Sequence, residues 1–325
     1  MSQIATHSNL DCMWSDLLAD LAEGSETPSR NGGCREIVGW AGGLSNPQYC
    51  AIADDRRKWS AGYASAELLW YLMGKSDSEM MSAYSSKYAG FCNDGEAMGA
   101  YGKRMRSNPG IAAKGGGRSS LRVALDVLLK KREDRRAVVA LFDSGDVVEA
   151  ERGEWKDLPC TLTLQFLARD GRLHLQTSMR SNDAWLGTPY DVHCFCQIQA
   201  LMAAALDLRL GKYLHVVGSM HLYDSNYEKA TQIVALPAML KLAVAVPEPS
   251  VACAKSFFEE GVPEWVRDRE NEFRNGDFSE VYSVLERVKD PDDGWWCEKL
   301  LACARKLGAP LAVVDAPLWA RGVAP

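Results

Sequence analysis

Residues 157–183 read DLPCTLTLQFLARDGRLHLQTSMRSND, two runs of alternating apolar and polar residues hinged on Asp170 and Gly171. Alternation with a period of two marks half-buried strands, and Asp-Gly is a dipeptide suited to a tight hairpin turn. The pattern predicts strands over 160–168 and 173–179. A third, over 137–142, lies upstream beyond SG and RG turn signals. Together these imply a large mixed or antiparallel sheet. Downstream, 190–208 is rich in Ala, Leu and Met and free of Gly and Pro, which predicts a long buried helix beginning just after Pro189. Residues 214–219 and 232–236 read as short strands, with another over 241–246.

Upstream, Trp14, Leu17, Leu18 and Leu21 recur at helical spacing until Gly24. Residues 25–47 are rich in Gly, Ser and Asn and read as a mobile loop carrying Arg30 and Arg35. An apolar face of Ala64, Leu68, Leu69, Tyr71 and Leu72 predicts a helix over 61–73, and Glu67 interrupts it inside ELLWYLMG. A carboxylate there needs a chemical reason. Residues 107–118 read as a polar surface loop and 121–131 as a helix. Past Pro247 the composition shifts to charged amphipathic segments, with Phe278, Val281, Tyr282, Leu285 and Val288 at helical spacing, then 295–307. Helices of this kind more often pad a surface than bind a partner. The fold class is therefore α+β, with a catalytic unit over 1–248 and a helical elaboration over 249–325.

At 325 residues and 47% apolar composition the chain can bury a sizeable core. Its net charge of −6 gives no general attraction to nucleic acid or to anionic membrane. No apolar run approaches the ~18 residues of a membrane span, and MSQIATHSNLD lacks the pattern of a signal peptide, so a cytoplasmic location is expected. Ten cysteines without a CxxC pair read as reduced thiols.

Cys160, in DLPC, is by itself one half-buried strand cysteine among many. Its context is more specific. MRSND (179–183), LGTPYD (186–191) and HLY (221–223) follow it in order, and ELLW (67–70), YGKRMR (101–106) and EDRR (133–136) precede it. This ordered set resembles the thymidylate synthase family over roughly residues 13–230. The resemblance implies a thymidylate synthase-like fold and a cysteine thiolate, Cys160, that adds to C6 of a pyrimidine and turns C5 into a nucleophile. Arg30, Arg180 and Ser181 then match phosphate-binding positions, and so do Arg135 and Arg136, which in the family reach in from the other subunit of a homodimer. His221 and Tyr223 match the pair on the sugar 3′-hydroxyl. Glu67 matches the carboxylate that relays protons through water, and Tyr101 the tyrosine that assists loss of the C5 proton. Asp183, Leu186 and Gly187 match folate contacts. The co-substrate implied is 5,10-methylenetetrahydrofolate, with no metal.

The chain departs from thymidylate synthases at Asp191, where they carry Asn. A carboxamide can serve the O4 and N3–H of uracil, whereas cytosine presents the reverse pattern of an N4 donor and an N3 acceptor. A carboxyl group suits cytosine. The same change marks the deoxycytidylate hydroxymethylases, which serve mainly bacteriophages and which the chain also resembles. The reaction implied is C5 hydroxymethylation of dCMP, since the segment 84–96 has no Trp to screen the site from water and offers only Tyr88 and Phe91. Methylation of dCMP, CMP or dUMP as substrate, and an inactive binding homologue are the alternatives. Thr161 stands where His commonly follows the nucleophile.

Overall fold

The Asp170-Gly171 hinge has positive φ at both residues, 50° and 69°, and Arg169 pairs with Arg172 across it. That is a two-residue hairpin of the primed type, whose twist matches its strands. A computed structural model of the chain describes residues 4–29, 32–106, 116–235, 243 and 245–311. Arg30, most of the expected loop over 107–118, much of the expected strand over 241–246 and the last residues, WARGVAP, lie outside the described residues.

The N-terminal elements are α1 (Leu10–Ala22), β1 (Ser25–Ser29), β2 (Gly32–Leu44), α2 (Ala61–Met73), α3 (Ser78–Tyr84), α4 (Tyr101–Arg106) and α5 (Ser120–Lys130). The central ones are β3 (Val138–Ala140), α6 (Ser144–Arg152), β4 (Thr161–Arg169), β5 (Arg172–Asp183), α7 (Thr188–Ala205), β6 (Arg209–Tyr223) and α8 (Asp224–Ala235). Four more follow: α9 (Val251–Glu260), α10 (Glu264–Arg274), α11 (Val281–Arg287) and α12 (Gly294–Lys306).

The strands form one sheet in the order β1-β2-β6-β5-β4-β3. Every pairing is antiparallel except β5 with β6, which is parallel. Parallel neighbours need a crossover, and the buried α7 supplies it. The sheet is thus mixed. Helix α7 starts earlier than its composition suggested, with Pro189 inside its first turn, where a missing N–H costs nothing.

Two expectations fail. Residues 25–47 are not a loop: β1 and β2 occupy most of them, and β2 pairs with β6 from Cys34↔Tyr223 to Leu44↔Tyr213. Glycine lowers strand propensity, but the ladder bonds backbone to backbone, and here absence of a side chain is required. A Cβ on Gly43 would lie 2.3 Å from the Tyr213 carbonyl oxygen. Residues 232–235 are the end of α8 rather than a strand, because Ala230 and Ile233 share a buried helical face.

The C-terminal helices join the core. Helix α12 buries Trp295, Trp296, Leu300 and Leu301 and packs against α2. Gly62 allows the close approach, since a Cβ there would sit 2.6 Å from the Ala302 carbonyl oxygen. No helix among the described residues is long and apolar enough to cross a membrane.

Candidate active site

The parallel pairing of β5 and β6 gathers the motif residues at one end of the sheet. In that register Ser181 lies beside Ser219 and Asp183 beside His221, so Arg180, Ser181 and Asp183 finish β5 where His221 and Tyr223 finish β6. Strand β4 runs the other way and begins there. Cys160 immediately precedes it, and its carbonyl accepts the Arg180 N–H at 2.8 Å. Helix α7 leaves the same end and carries Asp191 one turn in. The end of a parallel pair, where the chain must leave the sheet, is where a cleft can form.

Cys160 is partly exposed, with its Sγ 3.9 Å from the Ser181 Oγ. Burial pushes its thiol up to about 11; Arg180 opposes this and Asp157 and Asp191 add to it. The guanidinium of Arg180 donates from Nε to the Pro159 carbonyl and from Nη2 to the Leu158 carbonyl, each at 3.0 Å. It therefore clamps the DLPC turn and lies alongside the thiol it tempers. Burial thus disfavours the thiolate and Arg180 favours it.

Asp191 acts on the thiol, and Glu67 lies within reach of Asp191. Asp191 is 8% exposed and accepts a hydrogen bond at Oδ2 from the Asn182 Nδ2, 2.7 Å away. Burial lifts its pKa to about 7, with Asn182 pulling down and Asp183 and Asp157 pushing up. Glu67, on α2, receives the Tyr63 hydroxyl at 3.4 Å and the Cys194 thiol at 3.9 Å. Burial and the nearby Asp191 raise it to about 8. Tyr71, Tyr88 and Tyr101 complete a phenolic wall around these acids, each pushed up first by burial. Two acids poised near neutrality in one cleft are suited to moving protons.

Comparison with known proteins decides the family. The thymidylate synthase family model matches residues 23–250, more than half of the chain. The chain belongs to the thymidylate synthase family. Its fold is similar to that of thymidylate synthase from T4 phage, with a TM-score of 0.55 and 23% identity over 70% of this chain and 82% of that one. As a member of the family it is a one-carbon transferase, acting on a nucleotide with methylenetetrahydrofolate as co-substrate. Family members typically form dimers.

Within this thymidylate synthase frame, the structure brings Cys160, Glu67, Tyr101, Arg180, Ser181, Asp183, Asp191, His221 and Tyr223 near one another. His221 and Tyr223 stand with ring centroids 5.0 Å apart. Arg135 and Arg136 are not part of it. They sit beside Gln165, which donates to the Arg135 carbonyl, five residues along β4 from Cys160, and Arg136 is paired with Asp134. Leu186 is 55% exposed at the rim, and the Asp183 Oδ1 accepts the N–H groups of Trp185 and Leu186 at 2.7 and 2.9 Å. Gly187 has a packing reason of its own: a Cβ would lie 2.8 Å from the Asn182 Nδ2 and 3.2 Å from the Asp191 Oδ2.

Some residues of the site escaped the sequence. Asn182 has no feature in RSND that marks its bond to Asp191. Asp157, three residues before Cys160 in DLPC, is an acid that the order of motifs does not single out. Arg57 is 7% exposed, donates to the Trp185 carbonyl at 2.6 Å and lies 5.2 Å over the Trp185 ring. Nothing in its local sequence distinguished it from Arg56. Thr161 is wholly buried and lies against Tyr101.

Proposed function

We propose that the protein converts dCMP, water and 5,10-methylenetetrahydrofolate into 5-hydroxymethyl-dCMP and tetrahydrofolate. The observation that carries this reading is the buried Asp191 carboxyl, with one oxygen held by Asn182, where thymidylate synthases keep a carboxamide. A carboxylate accepts from the cytosine N4 amino group, and a proton shared with N3 draws electrons from C6. Against uracil the same edge is wrongly paired, at a cost of about 1–3 kcal/mol, or tenfold to hundredfold.

The remaining roles follow from position. Cys160 adds to C6, and its thiol proton, which burial holds, passes through water and the Glu67 carboxylate to the pyrimidine ring as the C–S bond forms. Glu67, raised to about 8, exchanges protons with the base through water, and Tyr101 assists removal of the C5 proton. Ser181 and Arg180 bind the phosphate with Arg30, and His221 and Tyr223 bind the sugar. Arg135 and Arg136, remote from their own Cys160, serve the neighbouring cleft in a homodimer. Asp183, Leu186 and Gly187 line the folate side. The co-substrate supplies the one-carbon unit.

Water, rather than hydride, completes the reaction in this reading. The Tyr88–Phe91 turn stands in place of the indoles, and Phe91 is 54% exposed. The phenols of Tyr63, Tyr71 and Tyr101 give a water molecule partners. The catalytic unit is assigned to 1–248, α12 of the C-terminal elaboration over 249–325 packs against α2, and the protein works in the cytoplasm. Incubation with dCMP and methylenetetrahydrofolate, with products resolved by mass, tests the proposal. 5-Hydroxymethyl-dCMP with tetrahydrofolate is expected. 5-Methyl-dCMP with dihydrofolate would reject the hydration, faster turnover of dUMP would reject the base, and no turnover of any nucleotide would favour a binding homologue.

A further inference from the structure

Behind Asp191 a buried chain of polar groups runs through β5, α7 and β6. The Tyr213 hydroxyl is 2.7 Å from the His215 Nδ1, and the His215 Nε2 is 3.1 Å from the Asn182 Oδ1. The Thr188 Oγ1 approaches the same Asn182 oxygen at 2.5 Å, and the Asn182 Nδ2 reaches the Asp191 Oδ2 at 2.7 Å. Tyr213, His215 and Thr188 are wholly buried and Asn182 is 3% exposed.

Chemistry gives this chain a direction. Burial drives His215 down to about 3, so its imidazole is neutral, with one N–H and one bare nitrogen. The Tyr213 O–H donates to Nδ1, which leaves the proton on Nε2. The Thr188 O–H has the Asp183 carbonyl at 3.2 Å as its other acceptor and takes the shorter contact, so it and the His215 N–H converge on one atom, the amide oxygen of Asn182. The opposite amide orientation would set N–H groups against two donors and oxygen against a carboxylate. The Asn182 NH2 therefore faces Asp191 and occupies Oδ2, and Oδ1 is left for a proton or a ligand.

We infer that Tyr213, His215 and Thr188 are positioning residues which, through Asn182, decide which oxygen of Asp191 carries the proton and so favour the amino-bearing base. This rests on the reading of Asp191 as the base-recognising group. None of the three needs to touch the nucleotide. The groups facing Asp191 are Glu67 and Tyr71 from α2, Tyr101 from α4, Asp157 and Cys160 from the turn before β4, Asp183 from β5, Cys194 from α7 and Tyr213 from β6. Glu67 titrates close by, so the Asp191 signal must be isolated genetically.

The test is the pH dependence of dCMP and dUMP binding, measured by calorimetry on the full chain, in Tyr213→Phe, Thr188→Val and His215→Gln, each also in an Asp191→Asn background. Once the amide can turn, its oxygen favours the protonated acid. Tyr213→Phe and Thr188→Val should then raise the pH midpoint of binding by about one unit and reduce the preference for dCMP roughly tenfold. His215→Gln still offers an N–H to Asn182 and should hold both within about twofold, and all shifts should vanish in the Asp191→Asn background. Folded Tyr213→Phe and Thr188→Val proteins with unchanged midpoint and preference would overturn the inference, as would a shift that persists without Asp191. Wild-type protein that prefers dUMP would instead sink the base assignment, and the midpoint shift would still judge the relay.

Discussion

Helix α7 is flanked by two buried polar clusters with opposite outlooks. Towards the sheet, Asn182, Thr188, Asp191 and His215 form short hydrogen bonds and end at a cleft shared with Cys160 and Glu67. Towards α12, the His193 Nδ1 lies 3.2 Å from the Cys50 carbonyl, the Gln197 amide contacts the Cys50 Sγ at 3.7 Å, and the Trp295 Nε1 donates to the Gln197 Oε1 at 3.2 Å. Lys299 completes that side, wholly buried with its Nζ 5.0 Å over the Trp295 ring. Burial of polar groups is common to both. Access is not, and the difference teaches that a perturbed, polar interior becomes a site only where its groups converge on an opening.

The largest contrast is expected at Cys160. Cys160→Ser should cut turnover by a factor of more than about 10³, with nucleotide binding retained, since a hydroxyl is a far weaker nucleophile than a thiol. Steady-state rates beside binding isotherms check this, and full activity in the variant would move the chemistry elsewhere. A second contrast lies among the thiols themselves. Alkylation followed by peptide mass analysis should modify Cys160 at a rate that rises about tenfold per pH unit towards its value of about 11, while the buried Cys50, Cys194, Cys196 and Cys303 react only on unfolding. A rate that levels off near neutrality would refute the protonated resting thiol.

The sealed side yields a smaller, thermodynamic effect. Burial lowers the Lys299 amine to about 8, below the ~10.4 of an exposed lysine. Between those values the unfolded chain binds a proton that the folded chain does not, so stability rises with pH across that window. Below it the buried charge is fully penalised. Lys299→Met should remove this rise, seen in melting temperature against pH, and leave kcat/KM unchanged. An altered kcat/KM would show that the two clusters communicate.

Legibility in the sequence follows the same divide. That Cys160, Arg180, Asp183 and His221 lie together was readable because the motifs that hold them keep a fixed order and spacing, and Asp191 stood out as a departure within that order. The β4–β5 hairpin was readable from Asp170 and Gly171. The β1–β2 pair was not, because Gly32, Gly33, Gly39, Gly42 and Gly43 carry no side-chain signal and their strand exists through pairing with β6. Asn182 and His215 are 33 residues apart, and only the parallel register of β5 and β6 joins them. Lys299 looks like the polar face of an amphipathic helix. Its burial depends on how α12 meets α2 and α7, which is a fact of tertiary packing.

The central claim is that the carboxyl at 191 selects the base. A competition assay with equal dCMP and dUMP, run on wild-type protein and on Asp191→Asn, tests it most directly. The account predicts dCMP ahead by about tenfold to hundredfold in the wild type and a reversal towards dUMP in the variant. The same order of preference in both proteins would contradict it.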